Sequence, residues 1–286
     1  MGRTQRHDRP LDTIWEIDDE LWQRIEPILT EDAPATPKAH GGRPRIDWRA
    51  AINGAIFRLR SGCQWNKLPK HFGDDSSVHR WFQRWCRNGI FEQIWAVLLE
   101  ECGEFGAVDW RWQAADGRLG KARFGGQNVG KNPTDRAKNG TKQSVLVERD
   151  GGPLAVVIAG ANVVDQKLLE ATIEAIVVER PDPKKLEQNL CLDKGYDNPT
   201  GHEVTERHGY VAHIRPIRED RRANRRPGRR KARRWVVERT LAWLSKCRAL
   251  LIRYDKHDVN YLGLIQLACA LLWYRRVNRL QAAKQY

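Results

Sequence analysis

The 286-residue chain is short of acids: 36 Asp and Glu stand against 50 Lys and Arg, leaving a formal net charge of +14. Such a surplus draws a protein toward polyanions, of which nucleic acid is the commonest. A membrane surface is the competing polyanion, but no basic amphipathic anchor stands out. The chain also lacks a long apolar run. The longest, Tyr261 to Tyr274, is broken by Gly263 and Gln266 and falls short of the roughly 18–20 residues that span a bilayer. Met1 to Pro10 is polar and basic without a hydrophobic centre, so it does not read as a secretory signal. Cysteine is sparse: Cys63, Cys86, Cys102, Cys191, Cys247 and Cys269 are scattered singly. With no CxxC pair and no Cys/His spacing, neither a zinc site nor a disulfide framework is expected. Most of these cysteines occupy apolar positions and read as buried thiols. No internal repeat is present. The expectation is a cytoplasmic protein with no membrane partner, whose 41% apolar content suffices for a packed core. Its length fits one large domain, or a core of about 180 residues with a smaller module.

What is present begins with helices. Asp18 to Leu29 carries Leu21, Ile25, Ile28 and Leu29 on one side, a short amphipathic helix. Thr30 to Arg45 reads as linker, rich in proline and glycine. Its basic end, with Arg43 and Arg45, has the character of an arm that lies in a minor groove; an ordinary solvated linker is the other reading. From Asp47, the residues Trp48, Ala51, Ile52, Ala55, Ile56 and Leu59 recur at helical spacing until Gly62. A short segment, Lys67 to Phe72, and a turn at Gly73 to Ser76 lead into a helix over Ser77 to Arg87. Val78, Trp81, Phe82 and Trp85 form its apolar side, and His79, Arg80, Gln83, Arg84 and Arg87 its polar one. Helix, short helix, turn, helix is the pattern that places a basic recognition helix in the major groove; a basic surface helix with no groove to enter is the alternative. A further helix, Phe91 to Cys102, ends at a glycine-containing boundary. The expected division is 1–46 (helix and basic linker), 47–103 (helix-turn-helix-like module), 104–280 (core) and 281–286 (tail).

Strand patterns follow. Trp110, Trp112, Ala114 and Asp116 alternate within Asp109–Leu119, placing Asp116 on one strand face with the tryptophans. Gly125 to Lys131 imitates a phosphate-binding loop, but Asn132 and Pro133 replace the Ser/Thr and the helix start that such a loop needs, so an ATPase is rejected. Lys131 remains a candidate for contact with DNA. Gln143–Arg149 and Pro153–Gly160 flank Asp150-Gly151-Gly152 as a hairpin. Lys167–Glu179 reads as a helix, Asn189–Asp193 as a strand, Thr200–His208 as a helix and Tyr210–Ile214 as a strand. Leu190-Cys191-Leu192 runs directly into Asp193, and open α/β sheets place their chemistry at the carboxyl ends of strands. A turn or cap role is the bland alternative for Asp193. On a helix over Lys231–Arg248, Val236, Val237, Thr240, Trp243, Leu244 and Cys247 form one side, with Glu238 opposite. An exposed Glu238 pairing with Arg234 at i−4 accounts for that position equally well. A mostly buried helix over Tyr261–Leu280 closes the chain.

This order, with Asp116 on the first strand, Asp193 on the fourth and Glu238 on a late helix, resembles the RNase H-like core of DDE transposases. The strings GKNPTDRAKNGTKQS, GANVVDQKLL, LCLDKGYD and KARRWVVERT are similar to bacterial transposases of the insertion-sequence-five type. The likeness covers about residues 45 to 275. It implies an α/β fold, an RNase H-like mixed sheet flanked by helices, beneath an all-α N-terminal module. It further implies Asp116, Asp193 and Glu238 as catalytic and metal-binding residues, with Arg234 in support. The family's late motif is tyrosine, two residues, arginine, three residues, glutamate, six residues, lysine. Arg234 and Glu238 fit it, while Lys231 and Ser245 stand where tyrosine and lysine are expected and Lys246 comes next.

Phosphodiester cleavage must activate one oxygen and stabilise another. Two divalent ions about 3.5–4 Å apart do both and require clustered hard oxygen ligands. Mg²⁺ is the expected ion, with Mn²⁺ able to substitute. By the resemblance, water frees a 3′-OH at the element's ends, and that hydroxyl then attacks target DNA. Residues 218–234 hold ten cations against two acids, among them Arg225, Arg226, Arg229 and Arg230, a run suited to phosphate. The expected partners are double-stranded DNA, as terminal inverted repeats and as target, and further copies of the chain, since two ends must be joined. The competing readings are a DNA-binding repressor or degenerate relative without catalysis, and an RNase H-like nuclease without strand transfer.

Overall fold

Aspartates open the first three helices. Asp18 accepts a hydrogen bond from the Leu21 amide, Asp47 from Arg49 and Ala50, and Asp74 from Ser77, satisfying donors that a first helical turn leaves open. The helices are α1 (Asp19–Glu31), α2 (Trp48–Ser61) and α3 (Asp75–Arg87). The computed structural model describes residues 13–33, 46–214 and 234–284. Two 3-10 turns, Trp65–Lys67 and Lys70–Phe72, connect α2 to α3, so the expected helix, short helix, turn, helix is present. Val78, Phe82 and Trp85 of α3 are buried, and α4 (Ile90–Glu104) completes the helical layer.

The sheet follows: β1 (Trp112–Ala122), the two-residue β2 (Gly130–Lys131), β3 (Asn139–Glu148) and β4 (Pro153–Gly160). After α5 (Leu169–Glu174) come β5 (Gln188–Leu192), α6 (Pro199–Arg207) and β6 (Tyr210–Ile214). The chain ends with α7 (Trp235–Leu244), α8 (Arg248–Leu251), β7 (Ile252–Arg253) and α9 (Asp258–Lys284). β3 runs antiparallel to both β1 and β4, while β5 lies parallel to β1 and β6 parallel to β5. Three antiparallel strands, then two parallel strands on the far side of the first, make an RNase H-like mixed sheet flanked by helices. β2 extends β3, and β7 adds to the end of β1.

Two expected helices come out shorter. In place of Lys167–Glu179, a 3-10 turn over Asp165–Leu168 leads into α5, which stops at Glu174. The Val177 amide donates to the Leu154 carbonyl at 3.1 Å, so the β-branched pair Val177-Val178 follows β4 instead of continuing the helix. The helix expected over Lys231–Arg248 is α7, ending at Leu244, with residues 231–233 outside the described residues. At its end the Ser245 hydroxyl donates back to the Leu241 carbonyl at 2.7 Å, and the chain turns into α8 and β7. The imitation phosphate loop opens no helix; its last two residues form β2.

The division expected near residue 103 falls just before the end of α4, yet the apolar core is continuous across it. α9 packs against α4, α3 and β4, and Trp95 of α4 and Trp273 of α9 both donate their indole N–H to the Pro153 carbonyl, at 3.1 and 2.7 Å. All six cysteines are free thiols, five buried and Cys63 half-buried. No helix among the described residues is long and apolar enough to cross a membrane. Gly263 is where α9 meets α3: a Cβ there would run into the Cys86 sulfur and lie 3.3 Å from Phe91. Gly263→Ala is therefore expected to lower unfolding stability by about 1–3 kcal/mol, as overpacked cores do. A denaturant midpoint equal to or above the wild type's would contradict that close approach.

Candidate active site

Strand register brings the two aspartates together. On the parallel pair, Ala114 of β1 lies opposite Cys191 of β5. Two positions further, where side chains return to the same face, stand Asp116 and Asp193. Asp193 follows the last residue of β5 in extended conformation and accepts from the Lys194 amide. Both aspartates line a hollow of about 320 Å³ together with Lys142, Asp165 and Tyr196. Burial pushes the Asp116 carboxyl above the usual carboxylate range, and the charges of Asp193 and Asp165 add to it. The Gly117 amide, donating to Asp116 at 2.8 Å, and the Arg234 guanidinium oppose that shift.

Glu238 is not among the residues that line that hollow. It is exposed on the first turn of α7, opposite the buried Val236, Val237 and Thr240. Arg234 links it to the pair: its guanidinium donates to Asp193 Oδ1 and, at 2.7 Å, to Glu238 Oε1. The i−4 pairing read from the sequence is thus present, with Asp193 as a second partner. Among the described residues, the three metal-type ligands whose atoms lie within 4.8 Å of one another are Glu170, Glu174 and His208, not the acidic triad. Glu170 there is already bound by Arg207. α7 is fixed to the sheet from two sides. The Thr240 hydroxyl donates to the Gly151 carbonyl at 2.6 Å, and Arg118, two residues beyond Asp116, donates to the Ser245 hydroxyl. Ser245, at the family's lysine position, is therefore part of that support.

Residues 17–95 match the family described as "Putative transposase of IS4/5 family", and residues 100–273 match "Transposase DDE domain". The chain belongs to the DDE transposase family. A putative transposase for insertion sequence element IS402 from Burkholderia cepacia is 34% identical over 160 residues, covering 55% of this chain and 74% of the relative. An uncharacterized 16.2 kDa protein of the same element is 34% identical over 119 residues, covering 41% of this chain and 80% of its own length. Among solved structures, the catalytic domain of Mos1 mariner transposase aligns with a TM-score of 0.28 at 12% identity, over 64% of this chain and 91% of that one. A Mos1 paired end complex with Mg aligns at 0.31 and 13%, over 91% and 85%.

The candidate DNA-contacting residues of the transposase are spread over several elements. Arg43, Arg45, Arg225, Arg226, Arg229 and Arg230 lie outside the described residues. On α3, Arg80 and Arg87 are exposed. Arg84 is held by Asp32 at the end of α1, at 2.8 Å. His79 stacks on Trp65 with ring centroids 4.6 Å apart, and burial lowers its pKa. Gln83 and His79 border a larger cleft, about 490 Å³, between the helical layer and the loop after β7; the smaller hollow is the one that holds the aspartates. Lys131 is exposed on β2 beside Asn139. Sequence reading passed over Asp165, Lys142 and Arg118 as site residues. Signals existed for the first two: both lie in the family-like strings, and Gly117 is a glycine inside a strand pattern, which marks close approach by another group.

Proposed function

We propose that this chain binds the terminal inverted repeats of an insertion sequence and cleaves them by metal-dependent hydrolysis. The freed 3′-OH is then joined to target DNA by transesterification. The observation that carries this reading is the parallel register setting Asp116 and Asp193 side by side in one hollow, in a chain of the DDE family. The donors there are hard carboxylate oxygens, and Arg234 already sits as a cation between Asp193 and Glu238, which fits a site built for positive charge. Asp116, Asp193 and Glu238 would hold Mg²⁺, expected as two ions, or Mn²⁺ in its place. When bound, these ions supply activation of the attacking oxygen and stabilisation of the leaving one. Arg234 keeps Glu238 within reach of the pair, and Thr240 and Arg118 fix the helix that carries both. Arg80 and Arg87 on the exposed side of α3, with the basic run before Arg234, are assigned to DNA. Work on two ends calls for a dimer or larger assembly on DNA, in the cytoplasm where the DNA lies.

A second reading, DNA binding without cutting by a repressor or degenerate copy, draws on one observation: Arg234 pairs with two of the three carboxylates, Asp193 and Glu238. One assay separates them. A labelled duplex made from the DNA flanking the gene is incubated with the full chain and Mg²⁺, Mn²⁺ or EDTA. The expected result is cutting at one defined flank position with either metal and none with EDTA, together with joined products when target DNA is added. Tight binding without cutting in any metal would establish the second reading. Cutting without joining would identify a nuclease.

A further inference from the structure

Asp165 belongs to no element the family motif names, yet it enters the same hollow as Asp116 and Asp193. It opens the 3-10 turn after β4, and its carboxylate reaches over β1 at Gly117. A Cβ at position 117 would run into that carboxylate, so only glycine leaves room beside Asp116 for the acid to enter. Lys142 of β3, whose side chain is only 7% exposed, brings its ammonium to 2.9 Å from Asp165 Oδ1. That approach is an ionic contact, since Oδ1 accepts no directed hydrogen bond. A buried lysine is rare unless paired, and this one faces the hollow too. The Tyr196 hydroxyl, in a residue 2% exposed, has no hydrogen-bond partner among the described residues. Burial raises its pKa, and the charges of Asp165, Asp116 and Asp193 add to that. Three carboxylates, an enclosed ammonium and an unpartnered buried hydroxyl therefore converge on one small volume. Structural pairing alone would require only Lys142 and one acid, at any point on the surface.

We propose that Asp165 is a further cation-holding residue of the catalytic hollow, kept in place by Lys142 and admitted by Gly117. The proposal rests on the assignment of the metal site to Asp116 and Asp193. Asp165 adds negative charge beside Asp116 in that hollow, and the Lys142 ammonium balances part of it.

The test is Mn²⁺ binding to the full chain without DNA, read by electron paramagnetic resonance, with thermal melting to confirm folding. Asp165→Asn keeps the shape and the oxygen facing Lys142 but removes the charge. It is expected to weaken Mn²⁺ binding about tenfold, within the range for residues that support a metal site. Gly117→Ala leaves Asp165 chemically intact but displaces it, and is expected to weaken binding similarly. The double variant should then bind no worse than either single one, because both changes remove the same interaction. Asp193→Asn serves as the reference. If it weakens Mn²⁺ binding while Asp165→Asn leaves it unchanged, the role of Asp165 is overturned and the metal site stands. If neither variant alters binding, the metal-site assignment falls and this inference with it.

Discussion

Asp193→Asn is expected to reduce metal-dependent cutting of flank DNA by about a thousandfold or more, a loss of about 4 kcal/mol of barrier lowering, while leaving DNA binding intact. The asymmetry follows from what the carboxylate touches. Asp193 Oδ1 accepts from the Lys194 amide at 2.7 Å and from Arg234; an asparagine oxygen can keep either role, so the turn after β5 and the helix behind it should fold unchanged. What disappears is one unit of charge and one hard ligand oxygen beside Asp116. Removing negative charge from a surface that meets phosphate should, if anything, tighten binding. The pair of measurements is a gel shift and a cleavage time course on the same duplex, with Asp116→Asn run alongside. Cutting by Asp193→Asn at the wild-type rate would sink the assignment of catalysis to this hollow.

The second large effect concerns stability. Trp273→Ala should destabilise the whole protein by about 3–5 kcal/mol, the usual cost of deleting a buried tryptophan. Trp273 is 1% exposed, its ring lies over Gly152, and Arg276 stacks on it at 4.6 Å. Its N–H meets the Pro153 carbonyl that Trp95 also contacts, so this one carbonyl joins α4, α9 and the edge strand. Removing the ring opens a cavity at the junction of helical layer and sheet, and both parts should lose stability in a single shifted transition. Urea denaturation followed by far-ultraviolet circular dichroism and tryptophan fluorescence provides the check. Two separated transitions, with only one of them moved, would mean that the layers do not share a core.

Local chemistry made much of the fold legible. The turn at Gly73 to Ser76 marks the start of α3, apolar spacing marks the buried sides of α2 and α3, and Asp150-Gly151-Gly152 marks the hairpin between β3 and β4. The strand carrying Asp116 and the strand ending at Asp193 were both readable from their own residues, as was the pairing of Arg234 with Glu238. Long-range relations were not. Nothing in Val177-Val178 announces that an amide there will bond to Leu154, so α5 was expected to be longer. Ile252–Arg253 is too short for a strand pattern and exists only because β1 offers a free edge. Lys142 illustrates the limit at the site: a lysine in a strand reads as surface, and its burial becomes intelligible only when Asp165 arrives from a different loop. Arg118 likewise looks like one more cation until the end of α7 is seen resting on it.

The shared core of α4, α9 and β4 has a consequence for how DNA would be handled. With the helical layer and the sheet joined through Trp95, Trp273 and Pro153, α3 and the aspartate hollow share one packed core. If a duplex lies against Arg80 and Arg87, that core works as a caliper, fixing the distance from the contacted bases to the phosphate at the hollow. B-form DNA advances about 3.4 Å per base pair and turns about 34° with each. One inserted pair would therefore carry the scissile bond off the mark in both translation and rotation, and about ten pairs would restore its facing while leaving it a full turn too far away. Under that docking, cutting would depend on the spacing of the contacted bases and the scissile bond as well as on their identity.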